Sequence, residues 1–91
     1  MNHKRITAQI ESLAQELEAA KQEYDFARIR AQRHRLKALE GDQLAGWYLD
    51  GAQTRMQELQ QIMNTIVESM AILEDRYNRI YFEQITEGES V

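Results

Sequence analysis

A seven-residue repeat of apolar side chains runs through most of this chain and restricts it to helices that pack along one stripe. The first run of seam positions is Ile6, Ile10, Leu13, Leu17, Ala20, Tyr24, Ala27, Ala31, His34 and Ala38. The second run is Leu49, Ala52, Met56, Leu59, Met63, Ile66, Met70, Leu73, Tyr77 and Ile80. Alternating spacings of three and four residues are typical of helices that supercoil at about 3.5 residues per turn.

Three of the four glycines cluster within residues 41–51, at and just after the break between the two runs, and the chain contains no proline. Because glycine and proline are the strongest helix breakers, this distribution predicts two long helices within one domain, residues 1–91. Gly41 suits a left-handed helix C-cap, and Asp42 suits the N-cap of the next helix. The predicted segments are a first helix at about 4–40, a turn at 41–46, a second helix at about 47–85 and an acidic tail at 86–91. The glycines on either side of residues 47–50 leave the start of the second helix open between residues 43 and 52.

The two runs match each other best when the chain folds back on itself. With the turn near residue 43, Ile6 lies opposite Ile80 and Ala27 lies opposite Leu59, so that small side chains meet large ones. A parallel pairing of the first run with a second copy of itself would instead stack alanine on alanine. The predicted fold is therefore an all-α antiparallel helical hairpin of the coiled-coil type.

Apolar side chains outside the seam predict an interface. Exposed apolar patches usually mark binding surfaces, and two hairpins that cover such patches form a four-helix bundle. We therefore expect a homodimer or docking on another helical protein. Trp47 and Tyr48, beside the turn, either cap the end of the bundle or anchor a partner. The second stripe of the first helix, about 180° from its seam, is Phe26, Ile29, Leu36 and Leu39.

A basic segment in the first helix has three open interpretations: a solvated helix face, a site for nucleic-acid phosphates, or a site for an acidic protein surface such as the acidic half of a second copy. The formal net charge of −4 argues against a general nucleic-acid binder. Arg55 is expected to face Arg30 as a like-charge pair without structural benefit. The cations of the segment are Arg28, Arg30, Arg33, Arg35 and Lys37.

The sequence contains no pattern that is typical of a catalytic or cofactor site. Cysteine is absent, and no second histidine lies near His34, so we expect no thiolate or histidine metal site. A solid seam offers no pocket that would separate the pKa values of an acid–base pair. We expect a non-enzymatic protein without cofactor, metal or small-molecule substrate. The absence of a long apolar run predicts a cytoplasmic protein without a membrane segment, with leaderless secretion left open.

The layout of two antiparallel helices with Trp47 at the turn, in a chain of under about a hundred residues, resembles the WXG family of small type VII secretion substrates and their helical partners. The spacing of the family's Trp-x-Gly motif differs here, since Gly51 follows Trp47 by four residues. That family's secretion signal has a tyrosine followed four residues later by an acid, whereas here Tyr77 is followed at that distance by Tyr81, and Tyr81 by Ile85. The resemblance implies a secreted substrate or its partner.

Together these features predict a non-catalytic interaction module that acts as an adaptor, inhibitor or chaperone-like partner. The apolar stripe and the basic residues would bind a protein, another copy of the chain, or both. Two alternatives are a small nucleic-acid-associated regulator that uses residues 28–37 and a WXG-like secretion substrate or partner.

Overall fold

The structure, a computed structural model, describes the backbone of residues 2–89 and the side chains of residues 4–85. It consists of two α-helices, α1 (Asn2–Leu39) and α2 (Gln43–Glu89). The described residues contain no β-strand. The predicted all-α helical hairpin is thus confirmed.

The turn between the helices is closed by a glycine in the left-handed region of backbone space. Gly41 has φ of 102° and donates its N–H to the carbonyl of Ala38 at 3.1 Å. The N–H of Asp42 reaches back to the carbonyl of Lys37, also at 3.1 Å. This pair of bonds is a Schellman motif, which satisfies carbonyls at the end of α1 that have no partner within the helix. The predicted C-cap role of Gly41 is confirmed.

The start of α2 is fixed by a side-chain cap. Asp42 Oδ1 accepts hydrogen bonds from the backbone N–H groups of Leu44 at 3.1 Å and Ala45 at 3.3 Å, so the predicted N-cap is confirmed. The helix therefore begins one residue after the cap, and the turn predicted at 41–46 was too long. Gly46 lies inside α2, because a glycine in a helix costs only about 1 kcal/mol, which a good cap offsets.

The end of α2 also differs from the prediction. The sequence predicted a helix end near residue 85 and an acidic tail at 86–91, whereas α2 continues to Glu89. No proline follows residue 85, and Gly88 is the first glycine there, so the intervening residues do not force an end to the helix. Residues 90 and 91 of the predicted tail lie outside the described residues.

The chain packs as two compact units, each of which contains a segment of α1 and a segment of α2. We call Glu18–Asn64 the turn unit. We call the described part of Met1–Leu17 and Thr65–Val91 the terminal unit. The assignment of residues 1–91 to one domain remains a prediction.

The turn unit has a core of small side chains around one large residue. Ala27 is 0%, Leu59 is 1% and Ala45 is 2% exposed. Ala27 and Leu59 are the residues that the predicted register places opposite each other. Alanine brings two helix backbones close together, and a leucine then fills the remaining space.

The terminal unit is packed less deeply. Its buried hydrophobic residue is Ile66, at 7% exposure, and its other seam residues are half-buried. Leu13 and Leu73 line one surface cleft, and Ile6 and Ile80 line another. These are the pairs that the register places opposite each other. In both units together, every predicted seam residue is buried or half-buried.

Candidate functional site

The second apolar stripe of α1 is exposed in the turn unit. The exposed fraction of these side chains runs from 43% at Ile29 through 62% at Leu36 and 66% at Phe26 to 80% at Leu39. The hairpin itself therefore does not cover them. Their burial by a second copy or a partner remains a prediction.

A first cleft brings this apolar stripe together with two of the predicted cations. It has a volume of about 520 Å³ and is lined by Phe26, Ile29, Arg30, Arg33 and Glu23. We call it the apolar cleft. Apolar side chains beside guanidinium groups form a surface that suits an amphipathic partner, because arginine and aromatic residues contribute disproportionately to protein interfaces.

A second cleft places two aromatic residues from the start of α2 beside the same Arg30. We call it the aromatic cleft; it has a volume of about 280 Å³, and Trp47, Tyr48, His34 and Arg55 also line it. The rings of His34 and Tyr48 are stacked, with centroids 5.4 Å apart and planes at 29°. Trp47 is 80% exposed, so it does not cap the end of the helical pair. The indole of Trp47 is exposed beside Arg30, and its role as an anchor for a partner remains a prediction.

Arg55 differs from its sequence-based prediction. Its Nε and Nη2 donate to Glu23 Oε1 at 3.0 and 2.8 Å, and its Nη1 donates to Glu58 Oε2 at 3.1 Å. The pKa of Arg55 is raised, mainly by its hydrogen bonds to Glu23 and secondly by its hydrogen bond to Glu58. Arg55 lines the same cleft as Arg30, but the expectation that it has no structural benefit was wrong, because Arg55 joins α2 to α1 through Glu23.

The remaining cations divide into one that pairs locally and several that do not. Arg28 lies 3.9 Å from Asp25, a long contact between two exposed side chains. The other cations of the segment form no ion pair with any residue that the structure describes. All of them are exposed, so they present positive charge to solvent that no ion pair offsets. These cations are Arg30, Arg33, Arg35 and Lys37.

The sequence analysis missed the two carboxylates that hold Arg55 and the contact of Tyr48 with His34. Glu58 is three residues from Arg55, a spacing that places the two side chains on neighbouring positions of one helix. Glu23 lies one turn before Ala27, and Arg55 lies one turn before the opposing Leu59. Glu23 and Arg55 therefore lie diagonally across the seam, and this relation could have predicted their ion pair from the sequence.

The part of the chain that the structure describes contains neither a cluster of metal ligands nor a membrane-spanning helix. No group of three histidine, cysteine, aspartate or glutamate side chains there could hold a metal ion. Within the same residues, neither helix has an apolar stretch of the length and hydropathy that a membrane crossing requires.

No family model, curated protein or solved structure matches this chain. The two-helix hairpin is compatible with the layout of the WXG family, but no family match supports membership.

Proposed function

We propose that this protein is a non-catalytic interaction module that binds a protein partner through the exposed surface of its turn unit. We call this surface the Arg30 face, which consists of the apolar cleft and the aromatic cleft with Arg30 between them. The observation that carries the proposal is the meeting of exposed apolar side chains with cations that have no acidic partner. Its residues are Phe26, Ile29, Arg30, Arg33, Trp47 and Tyr48.

Physical chemistry favours a protein as the ligand of such a surface. Covering apolar side chains stabilises a complex by roughly 25 cal/mol per Å² of apolar surface removed from water. Trp47 and Phe26, at 80% and 66% exposure, have large areas left to cover. Arg30 and Arg33 would select a partner with acidic groups at its rim, because like charges would repel. The adaptor, inhibitor and chaperone-like roles all share this binding step.

A capture experiment with matched variants tests the proposal. Tagged wild-type protein, a face variant with Phe26→Ser and Arg33→Gln, and a control variant with Ile72→Ser and Arg79→Gln would be incubated with extract of the source cell. The control likewise replaces one exposed apolar side chain by serine and one arginine by glutamine, on the terminal unit. We expect a protein that the wild type and the control retain and the face variant loses, with or without nuclease. Equal retention by all three proteins would contradict the proposal.

Binding of nucleic acid is the second candidate, and the unpaired cations Arg30, Arg33, Arg35 and Lys37 favour it. Phosphate contacts release counterions, so such binding would weaken steeply as salt is added. Fluorescence anisotropy with labelled duplex and single-stranded probes over a salt series tests this role. Binding at low salt that falls steeply with ionic strength would support it, and no binding at low salt would remove it.

A WXG-like secreted role is a further candidate, supported by the hairpin layout and by the exposed Trp47 in the second turn of α2. Its test is the amount of tagged protein in the medium of cells with an intact or a disabled type VII apparatus. Secretion that depends on the apparatus would support this role, and equal amounts in both media would remove it.

A further inference from the structure

A second heptad stripe runs along α2 in the terminal unit, outside the seam. Its members follow one another at spacings of four and three residues, and all of them are exposed. Because a four-three rhythm keeps side chains on one helix face, the stripe has the geometry that a partner helix needs. The stripe consists of Val67, Ala71, Glu74, Asn78, Tyr81 and Ile85.

This α2 stripe is apolar and acidic. Val67, Tyr81 and Ile85 are 51%, 57% and 40% exposed, so the chain itself leaves them largely uncovered. Glu74 in the stripe and Glu68 beside it form no ion pair within the described residues. The neighbouring Asp75 is occupied, since it lies 2.7 Å from Arg79.

A stripe of the same rhythm and the opposite charge runs along α1 through the Arg30 face and one turn beyond it. Phe26, Ile29, Arg33 and Leu36 follow one another at spacings of three, four and three, and all four are exposed. Arg30 and Lys37 flank this α1 stripe, and neither they nor Arg33 form an ion pair with a described residue. Each stripe therefore offers what the other lacks, namely apolar surface with a complementary charge.

We propose that the partner of the α1 stripe is the α2 stripe of a second copy of this chain. The inference rests on the proposed function and names the partner of the same surface. Apolar side chains of both copies leave water, while Arg33 and Lys37 of one copy lie near Glu68 and Glu74 of the other. Both stripes are exposed in one chain, so the contact forms between copies.

An alternative self-pairing, of α1 with α1 of the second copy, is disfavoured by charge. The antiparallel register that packs Ile29 against Leu36 of the other copy also brings the Arg33 side chains of the two copies together within the contact. Like charges that face each other across a contact oppose association. The acidic α2 stripe removes this conflict, because it carries carboxylates at the same rhythm.

Charge reversal tests the pairing directly. The basic-reversed variant carries Arg33→Glu and Lys37→Glu, and the acid-reversed variant carries Glu68→Lys and Glu74→Lys. The control variant, Lys4→Glu with Lys21→Glu, makes the same charge change as the basic-reversed variant away from both stripes. Sedimentation equilibrium measures self-association of each protein at low salt, and circular dichroism confirms that each is helical.

We expect the wild type and the control to self-associate, and each reversed variant to lose affinity by roughly tenfold or more, since its stripes then carry like charges. An equimolar mixture of the two reversed variants should recover association, because every mixed contact again joins opposite charges. If a reversed variant fails to fold, Arg33→Gln and Glu74→Gln replace it, and each is expected to weaken association.

Three results would overturn the inference: a monomeric wild type over the whole concentration range, reversed variants that associate like the wild type, or a mixture no tighter than its components. If the wild type is monomeric and captures a foreign protein that the face variant does not retain, the inference is refuted and the proposed function stands. If the wild type is monomeric and the face variant captures the same proteins as the wild type, the inference and the proposed function are both refuted.

Discussion

Truncating Leu59 removes the one large side chain that is fully buried in the described structure, at 1% exposure. A buried leucine changed to alanine typically costs about 2–5 kcal/mol, which includes the lost burial and the cavity that remains. The other buried residues of the turn unit are alanines such as Ala27, which have no flexible groups to fill a cavity. The two helices can, however, approach each other slightly, so we expect Leu59→Ala to cost about 2–3 kcal/mol, in the lower part of that range.

Thermal unfolding followed by circular dichroism measures this loss. For a domain of this size each 1 kcal/mol lowers Tm by about 4–8 °C, so Leu59→Ala should lower Tm by about 8–24 °C. Leu44→Ala is the matched control, since Leu44 is 65% exposed and the substitution is chemically identical. The control should change the free energy of unfolding by no more than about 0.5 kcal/mol. All proteins should be compared at one low concentration, because self-association raises Tm.

The account of the core fails if Leu59→Ala melts within about 3 °C of the wild type, a shift that corresponds to less than about 1 kcal/mol. It also fails if Leu44→Ala lowers Tm as much as Leu59→Ala does. Either result would mean that the paired seams do not hold the turn unit together.

Three smaller perturbations test the turn and the ion pair, each by thermal unfolding. Gly41→Ala should destabilise the folded protein by about 1–2 kcal/mol, because φ at this position is positive. Gly46→Ala, inside α2, should stabilise it by up to about 1 kcal/mol. An equal effect of the two substitutions would contradict the turn geometry. Asp42→Ala should cost about 1 kcal/mol through loss of the N-cap, and an unchanged Tm would mean that the carboxylate does not cap α2. Arg55→Gln should lower Tm at low salt and lower it less at high salt, because salt screens the ion pair with Glu23. Arg30→Gln should leave Tm unchanged, and equal shifts for the two variants would contradict the ion-pair assignment.

The features that the sequence predicted correctly are those that follow from a repeating pattern or from one residue with one conformational role. The seam follows from the spacing of side chains such as Leu59 and Ile66, since a helix has a single period. Gly41 and Asp42 mark the turn because few other residues tolerate positive φ or cap a helix equally well. The length of the turn was misjudged because Gly46 reads as a breaker, although a helix accepts a single glycine at modest cost.

The candidate site was predicted less completely, because long side chains choose among several partners within reach. Register alone places Arg55 opposite Arg30, and the backbone pattern does not show that its guanidinium turns towards Glu23. The contact of Tyr48 with His34 was missed for the same reason, since the seam pairs His34 with Ala52, one turn further along α2 than Tyr48. The exposed stripe at Phe26 and its cations were identified from sequence, and their binding role remains a prediction.

Site-specific photo-crosslinking in the source cell tests the central claim, that the Arg30 face binds a protein. A photoreactive residue would replace Ile29 in the apolar cleft, and in a parallel experiment Gln57, which is exposed on α2 and lines neither cleft. The account predicts a nuclease-resistant protein adduct, with a second copy or another protein, from position 29 and none from position 57. No adduct from position 29, equal adducts from both positions, or an adduct that nuclease removes would contradict it.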